Sequence, residues 1–437
     1  MLRRKATDRI IRWKKSGAKT ALLIDGARQV GKTYIVRDFA HGNYAHYAEV
    51  NFIETPMAAQ AMAASTTAEE LFSRLSIFVN GPLVAGETLV FLDEVQECPN
   101  ILTAIKFLVD SYPEYDFVLS GSLLGVELKN VRSVPVGYLD SFTMYPLDFE
   151  EFCWAKGLPP QILEDARSSF ERHVQIDQFV HEKLLALFHE YLVIGGMPAA
   201  VTAYLKEFDI QSARIVQQNI IARYREDISK YAGERGVVIK RIYDLLPSEL
   251  ANQNKRFVAR DIEGNSHIDR YQNDFAWLAE AGVALPTYNV DEPRPPLLIA
   301  KNRSLFKLFC SDIGLLACMC GMDITREMLA GRTDVLYGAI YENAVAQELK
   351  AHGFPLFYFK KAGIGELDFL ITRSLMQIVP IEVKSGKSYK RHNALSKALS
   401  TPNYAIDQAI VLCEDNISTD RKVVYAPIYC VAFLQNE

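Results

Sequence analysis

The chain of 437 residues is longer than one hydrophobic core ordinarily serves, which excludes a minimal single domain and predicts two or three domains. Hydrophobic residues make up 49% and charged residues 23%, which excludes an intrinsically disordered chain and is typical of a globular protein. The net charge of −5 excludes general coating of nucleic acid, although local basic patches are compatible with it.

The basic N-terminal segment, residues 1–15, is followed by neither an apolar region nor a small-residue cleavage site, so we expect no secretory signal. It is expected to form a first helix from Thr7 to Lys15. No apolar stretch approaches the roughly 18 residues of a membrane span. The seven cysteines show no zinc-ligand spacing and are interpreted as core thiols. We therefore expect a cytoplasmic protein with no membrane partner.

Residues 26–33 read Gly-Ala-Arg-Gln-Val-Gly-Lys-Thr, a complete G-x-x-x-x-G-K-[ST] phosphate-binding loop. The apolar run at 21–24 predicts a buried strand before the loop, and residues 32–40 predict a helix after it. In such a loop the backbone N–H groups wrap the phosphates, Lys32 reaches the β- and γ-phosphates, and Thr33 ligates Mg²⁺. The alternative is a fortuitous glycine-rich turn. We expect ATP and Mg²⁺ as cofactors, with ATP bound by Gly26, Ala27, Arg28, Gln29, Val30, Gly31, Lys32 and Thr33.

A second motif follows the apolar run at 88–92, which predicts a central parallel strand and ends in Asp93-Glu94. Ligands bind at the carboxyl ends of such strands. Asp93 is predicted to bind Mg²⁺ through water and Glu94 to orient or deprotonate an attacking water, which favours hydrolysis. The alternative is a helix N-terminus that carries acids. A further strand at 117–119 leads to a Ser-Gly-Ser segment. By resemblance to AAA-type ATPases, where a polar side chain at this point senses the γ-phosphate, Ser120 or Ser122 is a candidate for that contact; the alternative is an ordinary turn.

The alternation of predicted strands and helices from residue 21 to about 152 is typical of a doubly wound α/β domain with a parallel sheet. Apolar residues then recur at helical spacing between about 161 and 230, with a break at Gly-Gly-Met-Pro, residues 195–198. Residues 240–290 predict a small helical module that ends in a hairpin, and residues 291–296 predict a linker. The expected domains are 1–155, 156–296 and 297–437.

Acidic and apolar residues alternate at 365–371 and again at 381–384, which predicts two strands of a hairpin. Residues two apart in a strand share a face, so Asp368, Glu382 and Lys384 are expected on one surface. Two carboxylates can hold Mg²⁺, and a nearby lysine can activate water or stabilise a pentavalent phosphate. The alternative is a pair of solvated edge strands with cross-strand ion pairs.

A helix predicted from Ala339 to Lys350 adds a fourth group, because Glu342 projects onto its apolar stripe. Burial of an unpaired carboxylate is costly, and a metal ion or Lys384 would relieve that cost. A local excess of positive charge follows the second strand and suits a phosphodiester backbone. Its members are Lys384, Lys387, Lys390, Arg391 and Lys397.

The motifs, taken in order, resemble those of prokaryotic AAA-type P-loop ATPases that carry a C-terminal domain of unknown function similar to the PD-(D/E)XK nuclease fold. The resemblance spans nearly the whole chain and implies an AAA core, a middle helical and winged-helix-like part, and a C-terminal restriction-endonuclease-like α/β domain. Besides the loop, the matching segments are 92–94, 120–122, 145–152, 195–198, Tyr224 with 227–231, 306–308, 312–316, 366–369 and 381–386.

Position by position, the resemblance implies roles for individual residues. The catalytic set is Lys32, Asp93, Glu94, Asp368, Glu382 and Lys384, the metal ligands are Thr33, Asp93, Glu342, Asp368 and Glu382, and Ser122 joins the nucleotide-binding residues. Many relatives have Gly-Arg where this chain has Gly137-Tyr138. An arginine that acts in trans is therefore unassigned, with Arg132, Arg223 and Arg225 as candidates.

The function expected from these features is Mg²⁺-dependent ATP hydrolysis coupled to a C-terminal domain that binds DNA, with DNA cleavage as a further expectation. One alternative is a nucleotide-dependent switch that binds DNA or a protein partner without cleavage. Another is a P-loop phosphotransferase, which is disfavoured because no lid motif is legible. A second copy of the chain is also a candidate partner.

Overall fold

The computed structural model describes residues 2–122, 137–252, 257, 259–264, 268–322, 327–328, 335–373, 376–404 and 406–436. The chain divides into two compact units. The first comprises residues 3–145 and 280–282, and the second comprises residues 146–279 and 283–437.

The first unit is a parallel sheet with helices on both faces. Its five strands are ordered β2-β3-β4-β1-β5, and every neighbouring pair is parallel. The expected α/β fold with a parallel sheet is confirmed for this unit. Its elements are α1 (Lys5–Ser16), β1 (Ala21–Asp25), α2 (Lys32–Asn43), β2 (His46–Asn51), α3 (Pro56–Ala63), α4 (Ala68–Phe78), β3 (Thr88–Asp93), α5 (Asn100–Ser111), β4 (Asp116–Ser120) and β5 (Leu139–Thr143).

Strand alternation explains why this sheet is covered on both faces. Along β3, Val90 and Leu92 enter one hydrophobic core with α3, α4 and α5, whereas Leu89 and Phe91 enter another with α1 and α2. All six residues of β3 are buried, as the uninterrupted apolar run predicted. The strand and helix expected around the phosphate-binding loop, and the first helix, are likewise confirmed.

The second unit combines helices with an eight-stranded mixed sheet. The helices are α6 (Phe149–Ala155), α7 (Pro160–Glu171), α8 (Gln178–Ile194), α9 (Pro198–Glu207), α10 (Ile210–Tyr231), α11 (Gly236–Ala251), α12 (Ala259–Glu263), α13 (Gln272–Glu280), α14 (Ile313–Cys320), α15 (Val335–Ala351) and α16 (Asn393–Ser400). The strands are β6 (Ala284–Val290), β7 (Lys301–Cys310), β8 (Phe357–Lys361), β9 (Gly365–Arg373), β10 (Gln377–Val383), β11 (Ala409–Cys413), β12 (Ser418–Asp420) and β13 (Val423–Pro427).

The sheet of the second unit is ordered β12-β13-β11-β10-β9-β8-β6-β7. The expected hairpin of β9 and β10 is confirmed as an antiparallel pair. On its other side, β10 pairs in parallel with β11. Residues 291–296, expected as a linker, connect β6 to β7, and these two strands pair in the same sheet. The sheet therefore includes strands from both sides of residue 296, and the three-domain division stays a prediction.

The Gly-Gly-Met-Pro break ends α8 and precedes α9, as predicted. Gly196 donates its N–H to Asp312 Oδ2 at 2.7 Å, and its carbonyl accepts from the N–H of Leu147 at 2.7 Å. A Cβ at Gly196 would lie 2.0 Å from the carbonyl oxygen of Leu147, so a larger residue does not fit. Three segments distant in sequence thus meet at one glycine.

Two general properties of the described residues complete the fold. No single helix among them has the length and apolarity to cross a membrane, and one bent pair, Gln178–Ile194 with Pro198–Glu207, passes by length and composition alone. All seven cysteines are free thiols, and six of them are buried.

Candidate functional site

The phosphate-binding loop runs from the end of β1 to the start of α2. Gly26 has φ +143°, and a Cβ there would lie 2.2 Å from the carbonyl oxygen of Met144, so this position requires glycine. Gly31, with φ +97°, lies directly before the first residue of α2. The free N–H groups at the start of α2 therefore belong to the loop, which is the arrangement that binds phosphate.

Lys32 is buried within the loop and folds back onto it. Its Nζ donates to the carbonyl oxygens of Gly26 and Ala27, both at 2.8 Å. Burial lowers the pKa of Lys32 to about 8, although nearby carboxylates, chiefly that of Glu94, act in the opposite direction. Within the described part of the chain, the ammonium is thus held by neutral carbonyls and not by a counter-ion.

Thr33 and Asp93 meet, as a shared magnesium site requires. Thr33 Oγ1 donates to Asp93 Oδ2 at 3.0 Å, and Asn51 Nδ2 donates to the same oxygen at 3.1 Å. Ser120 donates to the other oxygen, Asp93 Oδ1. Burial raises the pKa of Asp93. A hydroxyl beside a carboxylate supplies the hard oxygen ligands that Mg²⁺ prefers, so these residues fit that ion.

Glu94 has an unusual backbone conformation, with φ +57° and ψ +47°, which is uncommon for a residue other than glycine. Gln96 Nε2 donates to Glu94 Oε2 at 2.5 Å, and the Ser122 hydroxyl lies 3.4 Å from the same oxygen. Arg28 Nε donates to the Ser122 hydroxyl at 3.2 Å. Ser122 therefore connects the loop with Glu94, whereas Ser120 contacts Asp93.

Three residues of this site escaped the sequence analysis, namely Asn51, Gln96 and Arg4. Asn51 lies opposite Asp93 in the pairing of β2 with β3, so only the strand order could have revealed it. Gln96 also accepts from the N–H of Ser122 at 3.2 Å. Arg4 donates to the carbonyl oxygens of Val30 at 2.9 Å and of residue 145 at 2.7 Å, which fixes the loop to β5 and its extension.

The hairpin of the second unit brings together the acids that the strand pattern predicted. Asp368 Oδ2 accepts from the N–H of Val383 at 2.8 Å, across the two strands. Lys384 Nζ lies 2.7 Å from Glu382 Oε1. Burial lowers the pKa of Lys384, but the carboxylates of Glu382 and Asp368 outweigh it, and the net pKa is raised.

Glu342 has a lysine partner that the sequence analysis did not name. Glu342 is buried on α15, as predicted, but Lys384 pairs with Glu382, and the ammonium that lies 3.5 Å from Glu342 Oε2 is that of Lys307. Lys307 Nζ also lies 2.7 Å from Glu366 Oε1. The carboxylates, led by Glu342, outweigh the effect of burial and raise the pKa of Lys307. Sequence analysis missed Lys307, whose signal was one lysine within the apolar run Phe-Lys-Leu-Phe.

We call the four acids and three lysines gathered here the acidic cluster. Its members are Glu342, Glu366, Asp368, Glu382, Lys307, Lys360 and Lys384. Burial raises the pKa of Glu382, and Glu382 Oε2 has no hydrogen-bond partner within the described ranges. Among the residues that the structure describes, no three acidic, histidine or cysteine side chains are arranged to hold a metal ion.

A cavity of about 570 Å³ opens at the acidic cluster. Glu342, Asp368 and Lys384 line it, together with Ser385 and Gly386 from the segment after β10. The basic residues that follow are exposed. They are Lys387, Lys390, Arg391 and Lys397. The cavity thus lies beside an accessible positive surface.

The arginine candidates remain without an assigned role. Arg132 lies outside the described residues. Arg223 is exposed on α10, and Arg225 Nε lies 2.7 Å from Asp244 Oδ1. None of these observations relates an arginine to the phosphate-binding loop.

Comparison with known proteins agrees with the fold of the first unit. Residues 18–153 match a family described as an AAA domain, AAA_14. Residues 185–326 and 337–431 match two families described as domains of unknown function, DUF8612 and DUF4143. With the parallel sheet and the phosphate-binding loop, the first match defines the N-terminal part as an AAA-type P-loop domain.

Solved structures give weaker likenesses. The Walker-type ATPase PABY2304 of Pyrococcus abyssi is 14% identical, with a TM-score of 0.44, over 73% of this chain and 96% of that chain. The Orc1 protein of Aeropyrum pernix, solved in complex with DNA, is 14% identical, with a TM-score of 0.28, over 76% and 92%. Cdc6p from Pyrobaculum aerophilum is 12% identical, with a TM-score of 0.29, over 75% and 93%. No curated protein matches the chain.

Proposed function

We propose that the protein is a Mg²⁺-dependent ATPase whose nucleotide state controls DNA binding by its C-terminal part. The observation that carries the ATPase proposal is the meeting of Lys32, Thr33, Asp93 and Glu94 at the carboxyl edge of the parallel sheet. This edge is where ligands bind in sheets of this kind.

The residues of the site suggest the roles that each side chain has in hydrolysis. When ATP binds, Lys32 leaves the carbonyls of Gly26 and Ala27 and pairs with the β- and γ-phosphates. Thr33 and Asp93 hold Mg²⁺, which neutralises charge on the phosphates when bound. Glu94 orients the attacking water and accepts its proton.

Gln96 and Ser122 fix the position of Glu94 through hydrogen bonds to one carboxylate oxygen. Arg28, in the loop, donates a hydrogen bond to Ser122, which in turn contacts Glu94. A change in the loop on nucleotide binding can therefore alter the hydrogen bonds of the proposed catalytic carboxylate.

Steady-state ATP hydrolysis with the Glu94→Gln variant tests this proposal. Removal of the general base is expected to lower kcat by about 10²- to 10⁴-fold, while ATP affinity stays near the wild-type value. Glu97→Gln, three residues further along the same segment, is a matched control and is expected to retain the wild-type rate. A wild-type rate in Glu94→Gln would contradict the assigned role.

The exposed basic residues beside the cavity support DNA as the partner of the C-terminal part. Phosphate contacts release counter-ions, so DNA affinity should fall steeply with salt. Replacement of Lys387, Lys390 and Arg391 together by alanine is expected to reduce the slope of log K against log salt by about 2 to 3. The control removes three exposed cations elsewhere in the unit, those of Lys183, Lys206 and Arg241.

Fluorescence anisotropy of a labelled duplex, with and without ATP and Mg²⁺, measures both parts of the DNA proposal. We expect nucleotide to change the affinity and salt to weaken it. A salt slope near zero would indicate a protein partner and would contradict DNA binding by this surface.

DNA cleavage extends the proposal and is supported by the joint placement of Asp368, Glu382 and Lys384 on the hairpin. Incubation with plasmid DNA and Mg²⁺ or Mn²⁺ tests it. Asp368→Ala is expected to lose cleavage, whereas Asp420→Ala, an exposed carboxylate on β12, is expected to retain it. Equal cleavage by Asp368→Ala would eliminate the metal site.

A second candidate function is a nucleotide-dependent switch that binds DNA or a protein without cleaving it. The observation that favours it is that lysines already contact Glu342, Glu366 and Glu382 in the acidic cluster. This candidate predicts nucleotide-dependent affinity together with intact DNA after prolonged incubation with Mn²⁺.

A further inference from the structure

The acidic cluster contains a cation of its own. Lys307, in β7, is fully buried, and its Nζ lies 2.7 Å from Glu366 Oε1 and 3.5 Å from Glu342 Oε2. The two carboxylates reach this ammonium from different elements, β9 and α15. Lys307 therefore holds together two acids that would otherwise repel each other, as a divalent ion does where carboxylates converge.

The net charge of the acidic cluster indicates how many divalent cations it can bind. Its four carboxylates face three ammonium groups, which leaves one net negative charge. One divalent ion would change the net charge of the cluster from −1 to +1. Two divalent ions would leave a net charge of +3 in a largely buried space. Uncompensated buried charge is strongly unfavourable, so the balance favours one ion.

One carboxylate oxygen in the cluster still lacks a partner. Glu382 is 6% exposed, and its Oε2 makes no hydrogen bond to any described residue, although Oε1 lies 2.7 Å from Lys384. A buried polar atom without a partner is unfavourable, and a bound cation would remove that cost. Asp368 lies on the strand beside it, and neither carboxylate forms one of the two ion pairs of Lys307, so their oxygens are the ones suited to an added ion.

We propose that Lys307 takes the place of one metal ion, so that the acidic cluster binds a single divalent cation beside Glu382 and Asp368. Lys307 excludes a second ion from Glu342 and Glu366. This inference rests on the proposed role of the cluster as a cation site. The addition is that the Lys307 ammonium supplies permanently a positive charge that a second metal ion would otherwise supply. This charge does not depend on the metal concentration.

Mn²⁺ binding to the full chain without nucleotide tests the proposal, with calorimetry and electron paramagnetic resonance as the readouts. All variants carry Asp93→Asn, which removes the proposed ligand at the phosphate-binding loop. The background protein is expected to bind one Mn²⁺ per chain. Adding Lys307→Met is expected to raise the count to two, because Glu342 and Glu366 then lose the ammonium that lies between them.

Lys360→Met is the matched control. Lys360 Nζ lies 2.7 Å from Glu366 Oε2, but its side chain is 29% exposed, so water replaces it. The count is expected to stay at one in this variant. If Lys307→Met is unfolded without metal, Mn²⁺ is expected to restore its fold, since the ion then replaces the ammonium. Circular dichroism measures this recovery.

The outcomes separate this inference from the proposed function. Two ions in the background protein, an unchanged count in folded Lys307→Met, or a Lys307→Met chain that stays unfolded with Mn²⁺ would each overturn the inference. A rise from no ion to one would contradict the single bound cation and, with it, the metal site of the proposed nuclease. No binding by either protein would overturn both.

Discussion

Lys32 in the first unit and Lys307 in the second are both buried, yet their surroundings differ in kind. Lys32 donates to two neutral carbonyl oxygens, and burial lowers its pKa to about 8. Lys307 contacts two carboxylates, which outweigh burial and raise its pKa. A lysine held by carbonyls can exchange them for a phosphate at little cost, whereas a lysine held by carboxylates already has its counter-ions. The first is suited to a ligand that comes and goes, and the second to a permanent structural charge.

The largest expected effect is on stability and contrasts the two lysines directly. Without added metal, Lys307→Met is expected to lower the free energy of unfolding by about 3 to 5 kcal/mol, because two acids lose the buried ammonium that lies between them. Lys32→Met removes a buried charge that has no ion pair among the described residues and is expected to leave stability unchanged or raise it. Denaturant unfolding measures both. Equal losses in the two variants would contradict the comparison.

The next effect concerns the loop backbone. Gly26→Ala is expected to cost about 1 to 3 kcal/mol of strain and to weaken ATP binding by at least about tenfold, because its Cβ would lie 2.2 Å from a carbonyl oxygen. Gly386→Ala, in the segment that lines the cavity of the acidic cluster, is the control, since its Cβ would meet no atom within 4 Å. Thermal unfolding and nucleotide titration measure these effects. Wild-type ATP affinity in Gly26→Ala would show that the loop tolerates the clash.

A pH titration sharpens the contrast between the two lysines. Lys32 has a pKa of about 8 without ligand, and bound phosphates raise it, so ATP affinity should follow the protonated fraction of the free protein. Between pH 7 and pH 9 the dissociation constant is expected to rise about tenfold. Calorimetry in buffers of different ionisation enthalpy should show proton uptake near pH 9. Affinity that is independent of pH over this range would contradict a neutral Lys32 at high pH.

The smallest expected effect concerns the hydrogen bonds that hold Glu94. Gln96→Leu removes a buried bond of about 1 kcal/mol and is expected to lower kcat by about fivefold without changing ATP affinity. Ser122→Ala removes a longer contact, at 3.4 Å, and is expected to lower kcat by less. A larger loss in Ser122→Ala than in Gln96→Leu would reverse the assigned order.

Much of the first unit could be predicted from the sequence because its signals are local. The phosphate-binding loop is eight consecutive residues, and the strand before Asp93 is one unbroken apolar run. Asn51 could not be found in this way. It contacts Asp93 because β2 and β3 are neighbours in the sheet, and strand order is decided by packing of the whole unit.

In the acidic cluster, too, local sequence signals did not reveal a contact between elements that are distant in sequence. Strand periodicity predicted that Asp368 and Glu382 share a surface, and helical periodicity predicted that Glu342 is buried. It left a metal ion or Lys384 as the partner of Glu342 and did not find Lys307, which lies 35 residues away in sequence and on a strand, whereas Glu342 lies on a helix. Periodicity within one element reports which face a side chain occupies, but not which distant side chain faces it.

The most direct test of the central claim is calorimetric titration of folded chain with ATP and Mg²⁺, for the wild type and for Lys32→Met. The account predicts binding of one ATP per chain in the wild type and its loss in Lys32→Met at unchanged fold. Absence of binding to the folded wild type, or equal binding by both proteins, would contradict it.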